Sequence, residues 1–98
     1  MARKRIVPVH PGEFLFEEMQ ERSITINRLA RDLRVPVSRI DEIVKGKRSI
    51  TAETALRLGR FFGTSAGYWL NLQTTYDLAV AEDEASSRIE REVLPLRA

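Results

Sequence analysis

Pro36 divides the stretch from Ile24 to Arg48. Few local features restrict a fold more, because a proline inside a helix removes a hydrogen bond and clashes with the preceding turn. On its N-terminal side Ile26, Leu29, Ala30 and Leu33 recur at i, i+3, i+4 and i+7, the stripe of a helix facing a core. Thr25 suits the N-cap of that helix, with Ile24 and Leu29 spaced as a hydrophobic staple. Beyond the proline, a second short helix fits Val37 to Lys45, with Ile40, Ile43 and Val44 inward and Ser38, Arg39, Asp41, Glu42 and Lys45 outward. Gly46 ends it, since glycine accepts the left-handed conformation at a helix C-terminus. The pattern predicts two short helices joined by a tight turn.

Three further helices complete an all-α fold of five. The first begins at Pro11, preorganised for the first helical position and preceded by His10 as its cap, and runs through Phe14, Leu15 and Met19 to about Arg22. Thr51 caps a fourth helix in which Ala52, Ala55, Leu56, Gly59 and Phe62 share a face, ending at Gly63. Ser65 caps a fifth, whose Trp69, Leu72, Tyr76 and Val80 recur at helical spacing to about Glu82. The chain of 98 residues then reads as an arm over 1–9, one domain over 10–82 and an acidic tail over 83–98, irregular or weakly helical. No repeat, no low-complexity tract and no strand pattern longer than Arg5 to Val9 is present.

The net charge of +2 conceals an uneven distribution. Residues 22–60 carry ten basic and four acidic side chains, a net +6, while 1–21 come to −1 and 61–98 to −3. With no cysteine, disulfides and thiolate metal sites are excluded and a reducing cytoplasm is the natural compartment. The basic start from Met1 to Arg5 lacks the apolar segment of a signal peptide, because Pro8, His10, Pro11, Gly12 and Glu13 interrupt the residues after it. No stretch approaches the length of a transmembrane helix.

Enzymatic templates cannot be filled. His10 is the only histidine, without a nucleophile or carboxylate cluster beside it, so neither a catalytic triad nor a zinc site is available. Glu17-Glu18 and Asp83-Glu84 are adjacent in sequence, which on a helix does not aim two carboxylates at one point. Gly59 and Gly63 have no strand before them, so they make no phosphate loop. The sequence calls for no metal and no cofactor.

Two short helices and a tight turn make a helix-turn-helix, in which the first helix crosses the phosphate backbone of duplex DNA and the second enters the major groove by its N-terminal side chains. Ser38 and Arg39 on the first exposed turn are then the leading base readers. Arg39 either grips guanine bidentately or falls back onto a phosphate. Val37 either touches a thymine methyl or extends the inward stripe, and Glu42 faces a cytosine amine one turn later. Lys45, Lys47 and Arg48, where the chain leaves this helix, suit phosphate contacts, with the amides after Thr51 as an added anion site. Taken singly, these are ordinary solvated surface; their joint placement in the +6 segment is what points to DNA.

His10-Pro11-Gly12-Glu13, the segment Ile40 to Arg48, the run Ile50-Thr51-Ala52-Glu53-Thr54-Ala55-Leu56-Arg57-Leu58, and Phe62-Gly63-Thr64-Ser65 leading into Tyr68-Trp69-Leu70-Asn71-Leu72-Gln73 together resemble HigA-type antitoxins, within the XRE/Cro-like helix-turn-helix superfamily. The resemblance spans roughly 8 to 80, and Ile89 to Leu96 is similar to the family's C-terminal tail. It implies a lambda-repressor-like domain, a homodimer that represses its own operon at an inverted repeat, and a small HigB/RelE-like toxin, an mRNA-cleaving ribonuclease, as partner. Three positions depart from the superfamily: Arg34 stands at the usual turn glycine, Pro36 replaces a Ser or Thr cap, and Ile26 occupies a place often given to a polar phosphate-contacting residue. Asn27 or Thr25 is expected to take over that contact.

Trp69, Leu72, Tyr76 and Val80 are read either as the dimer interface or as intramolecular core. The acidic first helix, with Glu13, Glu17, Glu18 and Glu21, is the expected dock for a basic toxin. Phe16, off the inward stripe, is its apolar anchor or else folds back on Val7 or Val9. The rival readings are a stand-alone regulator of the same superfamily and an interaction module without DNA binding.

Overall fold

Among the described residues five helices succeed one another through short turns: α1 (Pro11–Glu21), α2 (Ile26–Leu33), α3 (Val37–Val44), α4 (Ala52–Phe62) and α5 (Ala66–Glu92). The computed structural model describes residues 7–97. Expectations for residues 1–6, which make up most of the arm, lie outside the described residues; 7–10 are not in regular structure.

The helix starts are encoded as the sequence indicated. His10 Nδ1 accepts the Gly12 amide at 2.9 Å, Thr25 Oγ1 that of Arg28 at 3.1 Å, Thr51 Oγ1 that of Thr54 at 3.3 Å and Ser65 Oγ that of Tyr68 at 3.1 Å. Only α3 lacks such a cap, because Pro36 has no acceptor in its side chain.

Four helix ends share one device, a left-handed residue whose successor's amide reaches back five residues to a carbonyl. Gly46 and Gly63 supply it for α3 and α4. Ser23 and Arg34 supply it for α1 and α2 with φ of 53° and 61°, conformations that cost an L-residue about 1–2 kcal/mol. At Arg34 the closing bonds are Val35 N to Ala30 O at 3.0 Å and Arg34 N to Arg31 O at 3.2 Å. A further bond comes from Arg57 of α4, whose Nη1 donates 2.9 Å to the Leu33 carbonyl. At roughly 1 kcal/mol net per bond, these offset the strain of the turn.

The core takes Leu15 and Met19 from α1, Leu29, Ala30 and Leu33 from α2, Ile40 and Ile43 from α3, Ala55 and Leu58 from α4 and Trp69 from α5, with Ile24 and Ile50 added from the turns. α1 lies on α3 and α5, α2 on α3 and α4, and α4 on α5. Gly12 makes the α1–α3 contact possible: a Cβ there would stand 1.9 Å from the Ile43 carbonyl oxygen, so backbone touches backbone. Buried Gln73 ties α5 to the loop before α4, its Oε1 accepting the Ile50 amide at 2.8 Å while its Nε2 donates 2.9 Å to Asp77.

Three expectations are corrected. Leu56 is not on the inward face of α4 but 64% exposed; the buried set is Thr54, Ala55, Leu58 and Gly59, and Leu56, about 100° of helix turn beyond Ala55, points away. The tail from Asp83 is not irregular: α5 continues unbroken through the expected boundary at Glu82 to Glu92, and only from Val93 does the chain leave the helix. Its 27 residues span about 40 Å, and the molecule measures 52 × 30 × 22 Å because the far half overhangs the bundle. Trp69 has no accessible surface, so it belongs to the protomer's core and not to an interface.

Candidate nucleic-acid interface

The open start of α3 is the centre of the candidate site. Pro36 has φ −61° and ψ 145°, extended backbone that delivers the chain into the helix without covering its first amides. The positive end of the α3 dipole is therefore unmasked. Val37 and Ser38 project from that turn; Val37 is 46% exposed, so it does not extend the inward stripe of Ile40 and Ile43. Arg39 is half-buried, its guanidinium against the first turn of α4.

Charges on this surface are arranged in pairs. Glu53 Oε1, on α4, lies 3.2 Å from Arg57 Nε and 3.9 Å from Arg39 Nη1. Arg48 reaches back over α3 so that Nε and Nη2 each approach Glu42 Oε2 at 2.6 Å. Lys45 meets Asp41 at 2.9 Å and Arg28 meets Asp32 at 3.4 Å. No ion pair joins the exposed Lys47 to a described residue. Glu42 is therefore the partner of Arg48 rather than an unengaged acceptor. Among the proposed phosphate contacts, Thr25 and Thr51 spend their hydroxyls on helix caps but stay exposed at the starts of α2 and α4, and Asn27 is exposed on the first turn of α2.

Away from this face, Leu72, Tyr76 and Val80 are half-buried along α5. Leu72 and Tyr76 join Val7, Val9, Phe14 and Tyr68 in lining an open apolar groove of about 370 Å³. Phe14 shares the lining of that groove with Val7 and Val9, and Phe16 is not part of it. Phe16 is 42% exposed, with Glu13, Glu17 and Glu21 exposed around it and Glu18 paired to Arg22 at 3.2 Å. His10 packs edge-on to Tyr76 with centroids 4.9 Å apart. Burial pushes its imidazole below the ordinary value, against the opposing pull of the Asp77 and Glu13 carboxylates.

Gln73, Glu53 and Arg57 are the residues that sequence reasoning misses. Gln73 has a signal, being a polar side chain four residues after Trp69 on an otherwise apolar stripe. Glu53 and Arg57 have none beyond i, i+4 spacing, since their other partners lie on α3 and α2. Among the described residues no group of acidic or histidine side chains is placed to hold a metal, and no helix is long and apolar enough to cross a membrane.

A bundle of this form, with an uncapped third helix presented beside a cationic surface, defines a helix-turn-helix protein, and the family model described as helix-turn-helix matches residues 15–69. Virulence-associated protein I of Dichelobacter nodosus is 51% identical over 80 residues, covering 81% of this chain and 74% of that protein. Among solved structures, an addiction module antidote protein of a HigA family from Coxiella burnetii superposes with a TM-score of 0.89 at 47% identity, covering 93% of this chain and all of the other. Pseudomonas aeruginosa antitoxin HigA, solved with the higBA promoter, gives a TM-score of 0.89 at 44% identity with the same coverage of both chains. The chain belongs to the HigA family of helix-turn-helix proteins.

Proposed function

We propose that this chain is an antitoxin and autorepressor that, as a homodimer, binds an inverted repeat in its own promoter and neutralises a HigB/RelE-like mRNA-cleaving toxin. The observation that carries the DNA half is the first turn of α3, uncapped and presenting Val37, Ser38 and Arg39. The likeness over 93% of the chain to a HigA solved with promoter DNA supports it. In this reading Val37, Ser38 and Arg39 meet base edges, while Thr25, Asn27, Lys45, Lys47, Arg48 and Thr51 border the phosphates. Glu42 acts on base recognition chiefly by holding Arg48.

One short recognition helix reads too few base pairs alone, and two half-sites a helical turn apart match a two-fold protein. The apolar groove with Leu72 and Tyr76, continued by Val80, is the face assigned to the second copy. Toxin docking is assigned to α1, where Phe16 supplies an apolar anchor amid Glu13, Glu17 and Glu21. Both activities belong to the cytoplasm, where promoter and ribosome are found.

The test has two arms. The purified protein is titrated onto its own promoter, where a footprint with two-fold symmetry is expected and binding indifferent to sequence would overturn the repressor reading. The small reading frame beside its gene is then expressed with wild-type protein and with Phe16→Glu. Rescue of growth by wild type and loss of rescue in the variant, with promoter binding intact, is the expected outcome. A neighbouring frame that is harmless when expressed alone would leave a stand-alone regulator as the function. Rescue that survives Phe16→Glu would move the dock away from α1.

A further inference from the structure

Arg39 is a cation with two possible destinations on DNA, a phosphate or a guanine edge, and the structure contains a feature that distinguishes them. Glu53 sits on the first turn of α4, and its Oε1 is shared by Arg57 Nε at 3.2 Å and Arg39 Nη1 at 3.9 Å. The two cations differ in freedom. Arg57 is anchored a second time, through its Nη1 bond of 2.9 Å to the Leu33 carbonyl at the end of α2. Arg39 has no second anchor among the described residues. Glu53 is therefore tethered through Arg57 to the turn of the helix-turn-helix, and Arg39, held by the longer of the two contacts alone, is the partner that can leave.

We propose that Glu53 is a specificity-determining residue, which steers Arg39 away from phosphates and onto a base edge. The proposal rests on the DNA-binding reading given above. Because Arg39 Nη1 starts 3.9 Å from Glu53 Oε1, a group gripped by the same guanidinium lies close enough to that carboxylate to fall inside the Debye length of about 8 Å at physiological salt, where screening is only partial. A phosphate in that place sets one full negative charge against another. A guanine edge offers N7 and O6 as neutral acceptors and meets no such repulsion. Glu53 thus penalises the contact that every sequence offers and spares the contact that only some sequences offer. The cost falls on non-specific binding, where backbone electrostatics supply nearly all the affinity.

Glu53 is mostly exposed, and glutamine keeps its shape and its hydrogen bond to Arg57, so the fold is not at stake in Glu53→Gln. Wild type is used to enrich a duplex from a randomised pool. Dissociation constants are then measured for wild type, Glu53→Gln and Glu53→Asp on the enriched duplex and on a scrambled duplex of equal composition, across a salt series. Glu53→Gln is expected to tighten the scrambled duplex about two- to fivefold while moving the enriched one by less than about twofold, the scale of one exposed charge pair. The salt dependence on the scrambled duplex should steepen by up to about one phosphate equivalent. Glu53→Asp, which keeps the charge, should retain the wild-type ratio. An unchanged ratio in Glu53→Gln, equal weakening on both duplexes, or Glu53→Asp behaving as Glu53→Gln would each overturn the proposal, because a residue that merely braces α4 gives those results. Failure of wild type to enrich any sequence would remove the DNA-binding reading itself, and the proposal with it.

Discussion

Gln73 and Ile50 are 23 residues apart, yet the side-chain oxygen of the first accepts the backbone amide of the second at 2.8 Å in the interior. That bond secures the loop joining α3 to α4, whose other members Lys47 and Arg48 face outward next to the recognition helix. Gln73→Leu preserves volume but strands the Ile50 amide. A buried donor without a partner costs about 1–3 kcal/mol, so the urea midpoint should fall accordingly with little change in slope. An unaltered midpoint would mean that the loop finds another acceptor.

Arg34 holds a left-handed conformation that glycine adopts without strain. Arg34→Gly is expected to stabilise the fold by about 0.5–1 kcal/mol, the relief being partly offset by the greater freedom of glycine when unfolded. Ser23→Gly should move stability in the same direction. Equilibrium denaturation of both variants checks this, and a loss in either would show that the side chain contributes contacts exceeding its strain.

His10 caps α1 through Nδ1 as an acceptor, which requires that nitrogen to be unprotonated. Its folded-state pKa lies below the ordinary 6.5, chiefly through burial, so the unfolded chain binds the proton more readily. The stability tied to this cap is fully present above pH 6.5 and is lost as pH falls from there through the folded value. His10→Asn, which can cap but does not titrate, should flatten this part of the pH–stability curve. If the curve keeps its slope in the variant, another group is responsible.

Arg39 and Lys47 should differ in kind when removed. Arg39→Ala is expected to cost about 1–3 kcal/mol on the operator and to relax preference at one base position, whereas Lys47→Ala should weaken all duplexes alike and lower the salt slope by about one. A binding series over single-base operator variants separates the two, and identical profiles would end the division of roles.

Much of this architecture is legible in local chemistry. Thr25, Thr51, Ser65 and His10 declare helix starts through short-range hydrogen bonds, and Pro36, Gly46 and Gly63 declare the breaks, so element order needs no tertiary information. The illegible part depends on which helix lies against which. Leu56 has the apolar character of an inward residue, but α2 and α5 pack on the neighbouring faces of α4 and leave it in solvent. Trp69 reads as surplus apolar area in the sequence, whereas the bond that its Nε1 donates to Thr64 Oγ1, at 3.0 Å, holds it at the centre of one protomer. The far half of α5 has the polar composition of a tail; composition sets solubility, and a helix already formed over its packed N-terminal half propagates through residues that each need add only one hydrogen bond. Of the candidate site, the reading turn is visible in the sequence and its carboxylate partner is not, because Glu53 meets Arg39 only when α3 and α4 are folded together.

Gly12 brings the backbone of α1 against the carbonyl of Ile43, a contact with no side chain between the two helices at that point. The acidic helix and the recognition helix are thus in direct backbone contact. If binding at α1 shifts α3 through that contact, reciprocity requires DNA to alter the bound protein's affinity by the same factor that the protein alters DNA's. Under the proposed docking of a toxin on α1, this close contact offers a route from toxin occupancy to promoter occupancy that needs no moving domain.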